Sequence, residues 1–243
     1  MEARGIDYIP GAADLGDFDA TSTTIAISPV DELPRLPRAA LERTFERYWA
    51  AASARRDASS SWDNYTPYEL RTVGAMLRLG WKDRALVMLE DFLADQEPVA
   101  WNQWPEVVWR DRRAPKFIGD SPHTWVGSDF LRSVADLFVH ERDADSTLVI
   151  GAGLPDAWLA APGVVVSGLS TWWGPLSYTA VQTGTSITMR IAAGIRVPPG
   201  GLVVHPPGSA APRRITVDGQ PVAAGPDGTI TVRSVPASIV FAP

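Results

Sequence analysis

The spacing of apolar residues changes once along this chain of 243 residues, near residue 145. Before that point, apolar side chains recur every three or four residues, which is the period of helices with one buried face. After it, they alternate within short, β-branched segments that Gly, Pro and Asp separate, which is typical of antiparallel strands. The sequence therefore predicts an α+β fold, with a helical region over 1–144 and an antiparallel β-sandwich over 145–243. We expect this sandwich to fold by itself.

Four amphipathic helices are predicted in the helical region. Two of their starts combine a capping Ser or Thr with a following Pro, which suits the first positions of a helix. The predicted helices begin at Pro37, Thr66, Lys82 and Ser121, and the last one extends to Glu141. The apolar stripe predicted for the first helix consists of Leu41, Phe45, Tyr48, Trp49 and Ala52, and that for the last helix of Val126, Phe130, Leu131, Val134, Leu137 and Phe138. Gly80 leaves only a short break between the second and the third, so these two are expected to form an antiparallel hairpin. Residues 5–34 have no helical period and are rich in Asp, Ser and Thr, so we expect a polar loop there.

Eight short strands are predicted in the second region. They cover Thr147–Ile150, Val164–Val166, Leu176–Gln182, Ser186–Ile191, Leu202–His205, Ile215–Val217, Thr229–Val232 and Ser238–Phe241. Two dipeptides between them, Thr183-Gly184 and Asp218-Gly219, indicate hairpin turns. The second of these is a strong signal for a type I′ turn.

Residues 101–141 hold the densest set of candidate functional side chains. This stretch carries four of the ten tryptophans, one of the three histidines and several carboxylates, in a loop that leads into a helix. Tryptophan faces stack on the apolar faces of a pyranose ring, and a carboxylate with a tuned pKa transfers protons, so the combination is typical of sugar chemistry. The alternative is that the four tryptophans form a hydrophobic plug beneath a long loop.

The remaining composition argues against several classes of function. The chain has 22 basic and 28 acidic residues, so its net charge of -6 argues against nucleic acid or an anionic membrane as a partner. It contains no cysteine, so it has no disulfide and no thiol nucleophile. The sequence has no G-x-S-x-G, no Gly-rich phosphate loop and no H-E-x-x-H, and its histidines are scattered, so we expect neither a cofactor nor a metal. Met1–Pro10 lacks the pattern of a signal peptide, which leaves the localisation undetermined.

The order of residues in 101–141 resembles the end of the catalytic barrel in six-hairpin, (α/α)6 glycosidases of the glucoamylase and α-L-rhamnosidase kind. The resemblance rests on Gln103-Trp104-Pro105-Glu106, on the loop from Asp111 to Gly119, and on Pro122-His123-Thr124-Trp125 at the start of the last helix. The segments D-F-D-A-T-S-T-T-I-A and T-P-Y-E-L-R-T-V-G also look like parts of bacterial proteins of this type. One detail departs from the family, because Pro105 precedes Glu106 where the family has a tight Glu-Gln or Trp-Glu pair.

The resemblance implies that Glu106 is the general base of an inverting glycoside hydrolase, oriented by Gln103 or by His123. It also implies a substrate-binding set of aromatic and polar side chains: Trp101, Gln103, Trp104, Trp109, His123 and Trp125. Two structural alternatives stay open. Glu106 would then be an ion-paired loop residue, and His123 a hydrogen-bonded residue near the start of a helix.

Further interpretations concern the neighbours of these residues. Arginines between residues 110 and 113 are expected to pair with Glu106 and lower its pKa, or to hold the loop through nearby aspartates. Asp129 is expected to be solvated or to cap a neighbour. A lyase would need a Tyr or His base beside an Asn, and the candidates for that option are Tyr65, Asn102 and His123.

A complete six-hairpin toroid needs twelve helices, whereas the sequence predicts four, which match the last third. The resemblance thus implies a partial toroid followed by the sandwich, with the general acid in a preceding part. We therefore expect a C-terminal piece of a longer polypeptide that is inactive alone. Its expected partners are an oligo- or polysaccharide and either the missing part of the toroid or a second copy of the chain. The alternative is a non-catalytic protein that binds carbohydrate or serves as a structural accessory.

Overall fold

A computed structural model describes residues 1–209 and 211–243 of the chain. Within these residues the backbone forms five α-helices and twelve β-strands, so the fold class is α+β, as the periodicity predicts. The chain divides into two compact units, Met1–Val134 and Ala135–Pro243. The boundary expected between residues 144 and 145 lies later in the chain than this division.

The helices are α1 (Ala20–Ile27), α2 (Arg38–Arg56), α3 (Thr72–Arg78), α4 (Lys82–Ala94) and α5 (Thr124–Phe138). The apolar stripe predicted for α2 is confirmed for most of its members. Leu41 and Phe45 are fully buried, Tyr48 and Ala52 are nearly so, and Trp49 is half-buried. None of the helices in the described part of the chain combines the length and the hydropathy that a membrane-crossing helix needs.

Helix α1 contradicts the polar loop expected for residues 5–34. The Asp19 carboxylate caps its first turn by accepting a hydrogen bond from the Ser22 amide at 3.1 Å. Thr24 and Ile27 are fully buried. Ser and Thr lower the intrinsic helix propensity of this segment, and the N-cap together with burial in the core outweighs that cost.

The hairpin expected around Gly80 is confirmed. Thr66 caps a 3-10 turn at Pro67–Arg71, which leads directly into α3. After α3, Gly80 adopts a left-handed φ of 83°, and the Trp81 amide donates to the Met76 carbonyl at 2.8 Å. This pattern is a Schellman motif, which ends one helix and directs the chain into the next.

Helix α5 differs from its predicted span at both ends. It begins at Thr124 rather than at Ser121, because residues 120–123 hydrogen-bond to residues 104–106 instead of forming a helical turn. It also ends earlier than predicted, because Val139–Arg142 forms a strand.

The buried stripe predicted for α5 is confirmed only in part. Val126 and Leu137 are fully buried, but Leu131 is 69% exposed. A polar residue of α5 is buried as well, since the Ser133 hydroxyl donates to the Leu70 carbonyl at 2.8 Å. The first half of α5 thus packs through one narrow face.

Strands β1 (Asn64–Tyr65) and β2 (Val108–Trp109) form a short antiparallel ladder in the first unit. The strands of the second unit are β3 (Val139–Arg142), β4 (Thr147–Ile150), β5 (Val164–Thr171), β6 (Gly174–Thr183), β7 (Ser186–Ile191), β8 (Gly201–Val204), β9 (Arg214–Val217), β10 (Gln220–Val222), β11 (Ile230–Val232) and β12 (Ala237–Ala242). All except β3 and β10 correspond to predicted strands. These two are missed because V-H-E-R and Q-P-V are short and do not alternate cleanly.

The second unit has two sheets on one core. Its six-stranded sheet has the order β10-β9-β12-β7-β6-β5, and its four-stranded sheet has the order β11-β8-β4-β3. Leu148 and Ile150 from the smaller sheet belong to the same hydrophobic cluster as Leu176 and Ile239 from the larger one. Two sheets that share one core in this way form a β-sandwich.

One strand pair departs from the predicted antiparallel arrangement. β4 and β8 run parallel, with Thr147 opposite Gly201. They are not consecutive, because the chain between them first forms β5, β6 and β7 in the other sheet. Such a long connection permits parallel pairing, whereas a tight turn does not.

The turn at Asp218-Gly219 is confirmed between β9 and β10. The φ angles of Asp218 and Gly219 are 50° and 80°, and a type I′ turn requires positive values at both positions. The Asp218 carboxylate also accepts a hydrogen bond from the Ser238 amide of β12 at 2.8 Å.

We expect a fragment of residues 135–243 to be more stable than one of residues 145–243. The shorter fragment lacks β3, so β4 becomes an edge strand although all four of its residues are buried. It also lacks Val139, which is 6% exposed in the core, so the loss should be about 2 kcal/mol or more. Urea unfolding followed by circular dichroism measures the difference. Equal unfolding midpoints would show that β3 contributes nothing to the sandwich.

Candidate functional site

Two loop segments bring several of the predicted site residues together. The Glu106 amide donates to the Asp120 carbonyl at 3.1 Å, and the His123 amide donates to the Trp104 carbonyl at 3.0 Å. The ladder of β1 with β2 joins the same loop to the chain that leads into Tyr68. Glu106, His123 and Tyr68 therefore reach one region of the first unit.

Trp104 anchors this loop from within the core. Its side chain is 0% exposed, and its indole N–H donates to the Phe92 carbonyl on α4 at 2.7 Å. Its ring also packs against Phe130 on α5, with centroids 5.1 Å apart. A buried indole offers no free face to a ligand, so the prediction that Trp104 stacks on a sugar is wrong. For this one tryptophan the hydrophobic plug is the correct description.

The Glu106 carboxylate lies against Gly119, which has a left-handed φ of 64°. A β-carbon at Gly119 would clash with this carboxylate, so the close approach requires glycine. Among the described residues, no Arg or Lys forms an ion pair with Glu106. The predicted pairing with the loop arginines is therefore wrong for Arg112, which pairs with Asp95 and, at 4.0 Å, with Glu97.

The two residues expected to orient Glu106 make other contacts. The side-chain oxygen of Gln103 faces Gly127 near the start of α5. His123 bonds to Tyr68 through its ring. Neither residue shares a hydrogen bond with the Glu106 carboxylate in the part of the chain that the structure describes. The lone pairs of this carboxylate are thus available for a water molecule or a ligand.

Tyr68 and His123 form a hydrogen-bonded pair beside Glu106. The Tyr68 hydroxyl contacts His123 Nε2, and the two rings meet edge to face with centroids 5.4 Å apart. His123 is buried, and its Nδ1 lies 3.8 Å from the Asp120 carboxylate. Burial and the charge of Glu106 raise the pKa of Tyr68, so this phenol stays protonated at neutral pH.

Trp125 is the exposed aromatic residue next to this pair. Its side chain is 69% exposed, and its ring lies 6.3 Å from that of Tyr68 and 6.0 Å from that of His123. An indole with a free face beside polar groups suits a ligand that is apolar on one side and hydroxylated on the other. The residues of this Tyr68 cluster are Tyr68, Glu106, Asp120, His123 and Trp125.

An ion pair between Arg71 and Asp129 packs against the Tyr68 ring. Arg71 donates from two of its nitrogens to one oxygen of Asp129, at 2.6 and 3.0 Å, and its guanidinium lies 5.1 Å from the centre of the Tyr68 ring. Burial raises the pKa of Asp129, although Arg71 favours its ionised form. Asp129 is thus a paired residue that fixes α5 to the turn carrying Tyr68, and the expectation that it is solvated is wrong.

A separate groove of about 280 Å³ holds two of the other predicted tryptophans. The residues of this tryptophan groove include Trp101, Pro105, Trp109, Arg112 and Ile118. Trp101 is 57% exposed, and the Lys116 ammonium lies 5.2 Å from the centre of the half-buried Trp109 ring. Glu106 is not among the residues that line this groove. The structure therefore places the predicted base and these two tryptophans in different surroundings.

Other candidate groups are engaged in structural pairs. Glu69 accepts hydrogen bonds from the Tyr48 hydroxyl at 2.7 Å and from the Arg55 guanidinium at 2.6 and 3.1 Å. The Tyr65 hydroxyl donates to Asp95 at 2.6 Å, which weakens the interpretation of Tyr65 as a lyase base. No group of three or more His, Asp or Glu side chains within residues 1–209 and 211–243 is arranged to hold a metal ion.

Comparison of the chain with models of protein families, with curated proteins and with solved structures found no match. The glycosidase resemblance therefore stays a prediction.

Sequence reasoning misses Tyr68 and Arg71 as site residues. The segment T-P-Y-E-L-R is explained by its role at the start of a helix, and no local pattern shows that Tyr68 meets a histidine 55 positions later. The only available signal is an aromatic residue beside a capping motif, which most helices do not use for function.

We expect Trp104→Ala and Trp125→Ala to affect folding very differently. Removal of the buried Trp104 ring leaves a cavity and breaks the hydrogen bond of its indole to the Phe92 carbonyl, which should cost about 3–5 kcal/mol of unfolding free energy. Removal of the exposed Trp125 ring should change it by less than about 0.5 kcal/mol. Urea unfolding of both variants measures this. A large loss for Trp125→Ala would mean that its ring is part of the core.

Proposed function

We propose that this protein acts on carbohydrate as part of an inverting glycoside hydrolase, with Glu106 as the general base. The observation that carries the proposal is the position of the Glu106 carboxylate. It has no Arg or Lys partner among the described residues, and it lies close enough to Tyr68 for its charge to raise the pKa of that phenol. Tyr68 in turn packs against His123 and the exposed Trp125. A general base needs an ionised carboxylate with free lone pairs, close to a place where a sugar ring can bind. Trp125 supplies the stacking face for that ring.

The reaction also requires a general acid. In an inverting site the two carboxyl groups are about 6.5–9.5 Å apart, so that a water molecule fits between the base and the anomeric carbon. The paired state of Glu69 argues against it as the acid. We propose that the acid comes from residues outside this chain and that the helices of the first unit, Met1–Val134, form the last third of an (α/α) toroid. The α3–α4 hairpin and α5 support this proposal because they have the order of elements that such a toroid repeats.

The tryptophan groove favours a second candidate function, which is binding of carbohydrate without cleavage. Trp101 and Trp109 line an apolar groove together with Arg112, and Glu106 is not among its lining residues. Aromatic faces combined with a charged donor suit sugar binding and require no catalytic carboxylate. The two candidate functions predict different results. If the first is correct, substitution of Glu106 lowers turnover; if the second is correct, substitution of Trp101 weakens sugar binding.

We expect Glu106→Gln to separate catalysis from binding. In a polypeptide that also carries the acid, glutamine keeps the shape of the side chain but cannot accept the proton of water, so kcat should fall roughly 10²–10⁴-fold. Calorimetric titration of the 243-residue chain with neutral pyranose oligosaccharides should show binding that Glu106→Gln changes by less than about threefold. Trp125→Ala should weaken this binding roughly 3–10-fold.

Glu90→Gln is the matched control, since Glu90 is an exposed carboxylate on α4. It should leave both turnover and binding unchanged. Hydrolysis by the 243 residues alone would mean that the acid lies within them, and Asp63 and Asp120 would then be substituted next. A loss of turnover in Glu106→Gln that follows a loss of thermal stability would identify Glu106 as a structural residue. If only Trp101→Ala weakens binding, the non-catalytic function is the correct one.

A further inference from the structure

The pairing of Tyr68 with His123 has a defined direction. His123 has two ring nitrogens, and in a neutral imidazole one of them carries the proton while the other accepts a hydrogen bond. Nε2 contacts the Tyr68 hydroxyl, and Nδ1 faces the Asp120 carboxylate at 3.8 Å. A negative charge on the Nδ1 side favours the proton on Nδ1. Nε2 is then the acceptor, and Tyr68 is the donor.

Backbone hydrogen bonds hold His123 and its neighbour Asp120 in place. The Asp120 carbonyl accepts from the Glu106 amide, and the His123 amide donates to the Trp104 carbonyl. His123 is only 8% exposed, so its ring does not turn freely. The direction of the Tyr68 hydroxyl proton is therefore fixed before any ligand arrives.

A tyrosine that donates its only proton to histidine still has lone pairs on its oxygen. Tyr68 is half-buried, and its ring packs between His123, Trp125 and the Arg71 guanidinium. The charge of Glu106 acts on this hydroxyl, since it raises the pKa of Tyr68, and Trp125 is the exposed ring next to it. A hydroxyl group of a ring stacked on Trp125 is the kind of donor that suits this oxygen.

We infer that Tyr68 contacts the substrate. Its oxygen accepts a hydrogen bond from a sugar hydroxyl that lies next to the anomeric carbon, where the water activated by Glu106 attacks. His123, with Asp120 behind it, is the positioning residue that keeps the Tyr68 proton away from the sugar. This inference rests on the proposed function for the nature of its ligand. The contact selects pyranoses in which the hydroxyl facing Tyr68 is free. A methyl ether at this position cannot donate a hydrogen bond and leaves the acceptor site of the Tyr68 oxygen unpaired.

Nitrogen-15 spectra of the imidazoles test the direction of this hydrogen bond in the full chain. Only three histidines contribute signals, so His123 is assigned by its absence in His123→Gln. At about pH 8, where a free imidazole is neutral, we expect the His123 ring to carry its proton on Nδ1. Tyr68→Phe should shift its Nε2 resonance, and Asp120→Asn should move the tautomer population towards Nε2–H. A wild-type ring protonated on Nε2 would overturn the inference.

Sugar titration tests the contact itself. We expect Tyr68→Phe to weaken the binding of neutral pyranose oligosaccharides about 5–10-fold, as the loss of one hydrogen bond does. Tyr8→Phe is the control, because the Tyr8 hydroxyl donates to the Gly16 carbonyl at 3.0 Å and takes no part in the cluster. Unchanged affinity in Tyr68→Phe, with wild-type binding intact, would overturn this inference alone. If the wild-type chain binds none of these sugars, the proposed function fails, and the role of Tyr68 as a sugar contact fails with it.

Discussion

The burial of Trp104 fixes the geometry on which the candidate site depends. The indole N–H of this residue is satisfied by the Phe92 carbonyl, and its ring fills the space between α4 and Phe130 on α5. Because its own carbonyl accepts from His123, the same residue also sets the start of α5. A fully buried indole contributes more apolar area than any other side chain of this loop, so it is the main anchor of the segment. The positions of Glu106 and His123 follow from this anchor.

Local sequence signals are sufficient to predict much of the fold. The stripe of α2, the hairpin at Gly80 and the turn at Asp218-Gly219 were predictable, because the residues that specify each lie within a few positions of one another. Helix α1 was not predictable in this way, since its Ser and Thr residues disfavour a helix until Ile27 is buried. The start of α5 was misplaced for a related reason, because residues 120–123 bond to a segment that lies earlier in the loop.

The candidate site was harder to predict than the fold. The sequence groups four tryptophans by their proximity along the chain, whereas the structure separates them by burial into the core, the tryptophan groove and the Tyr68 cluster. It also offers several arginines close to Glu106, but charge along a sequence does not show which carboxylate each guanidinium reaches. Tyr68 illustrates the same limit, since its contact with His123 depends on the packing of α5 against the turn at Pro67–Arg71. Pairings of this kind are set by tertiary structure.

The parallel pairing of β4 with β8 has a consequence for how the second unit folds. β5, β6 and β7 are joined by short turns and pair with their neighbours in sequence, so their contacts form after only small loops have closed. β4 and β8 are separated in sequence by all of β5, β6 and β7, so their pairing closes a long loop. Non-local contacts of this type slow folding, because the entropy of a long loop is lost before the contacts stabilise it. The β5–β6–β7 part of the six-stranded sheet is therefore expected to form first. The pairing of β4 with β8, like that of β12 with β7, is expected to limit the folding rate.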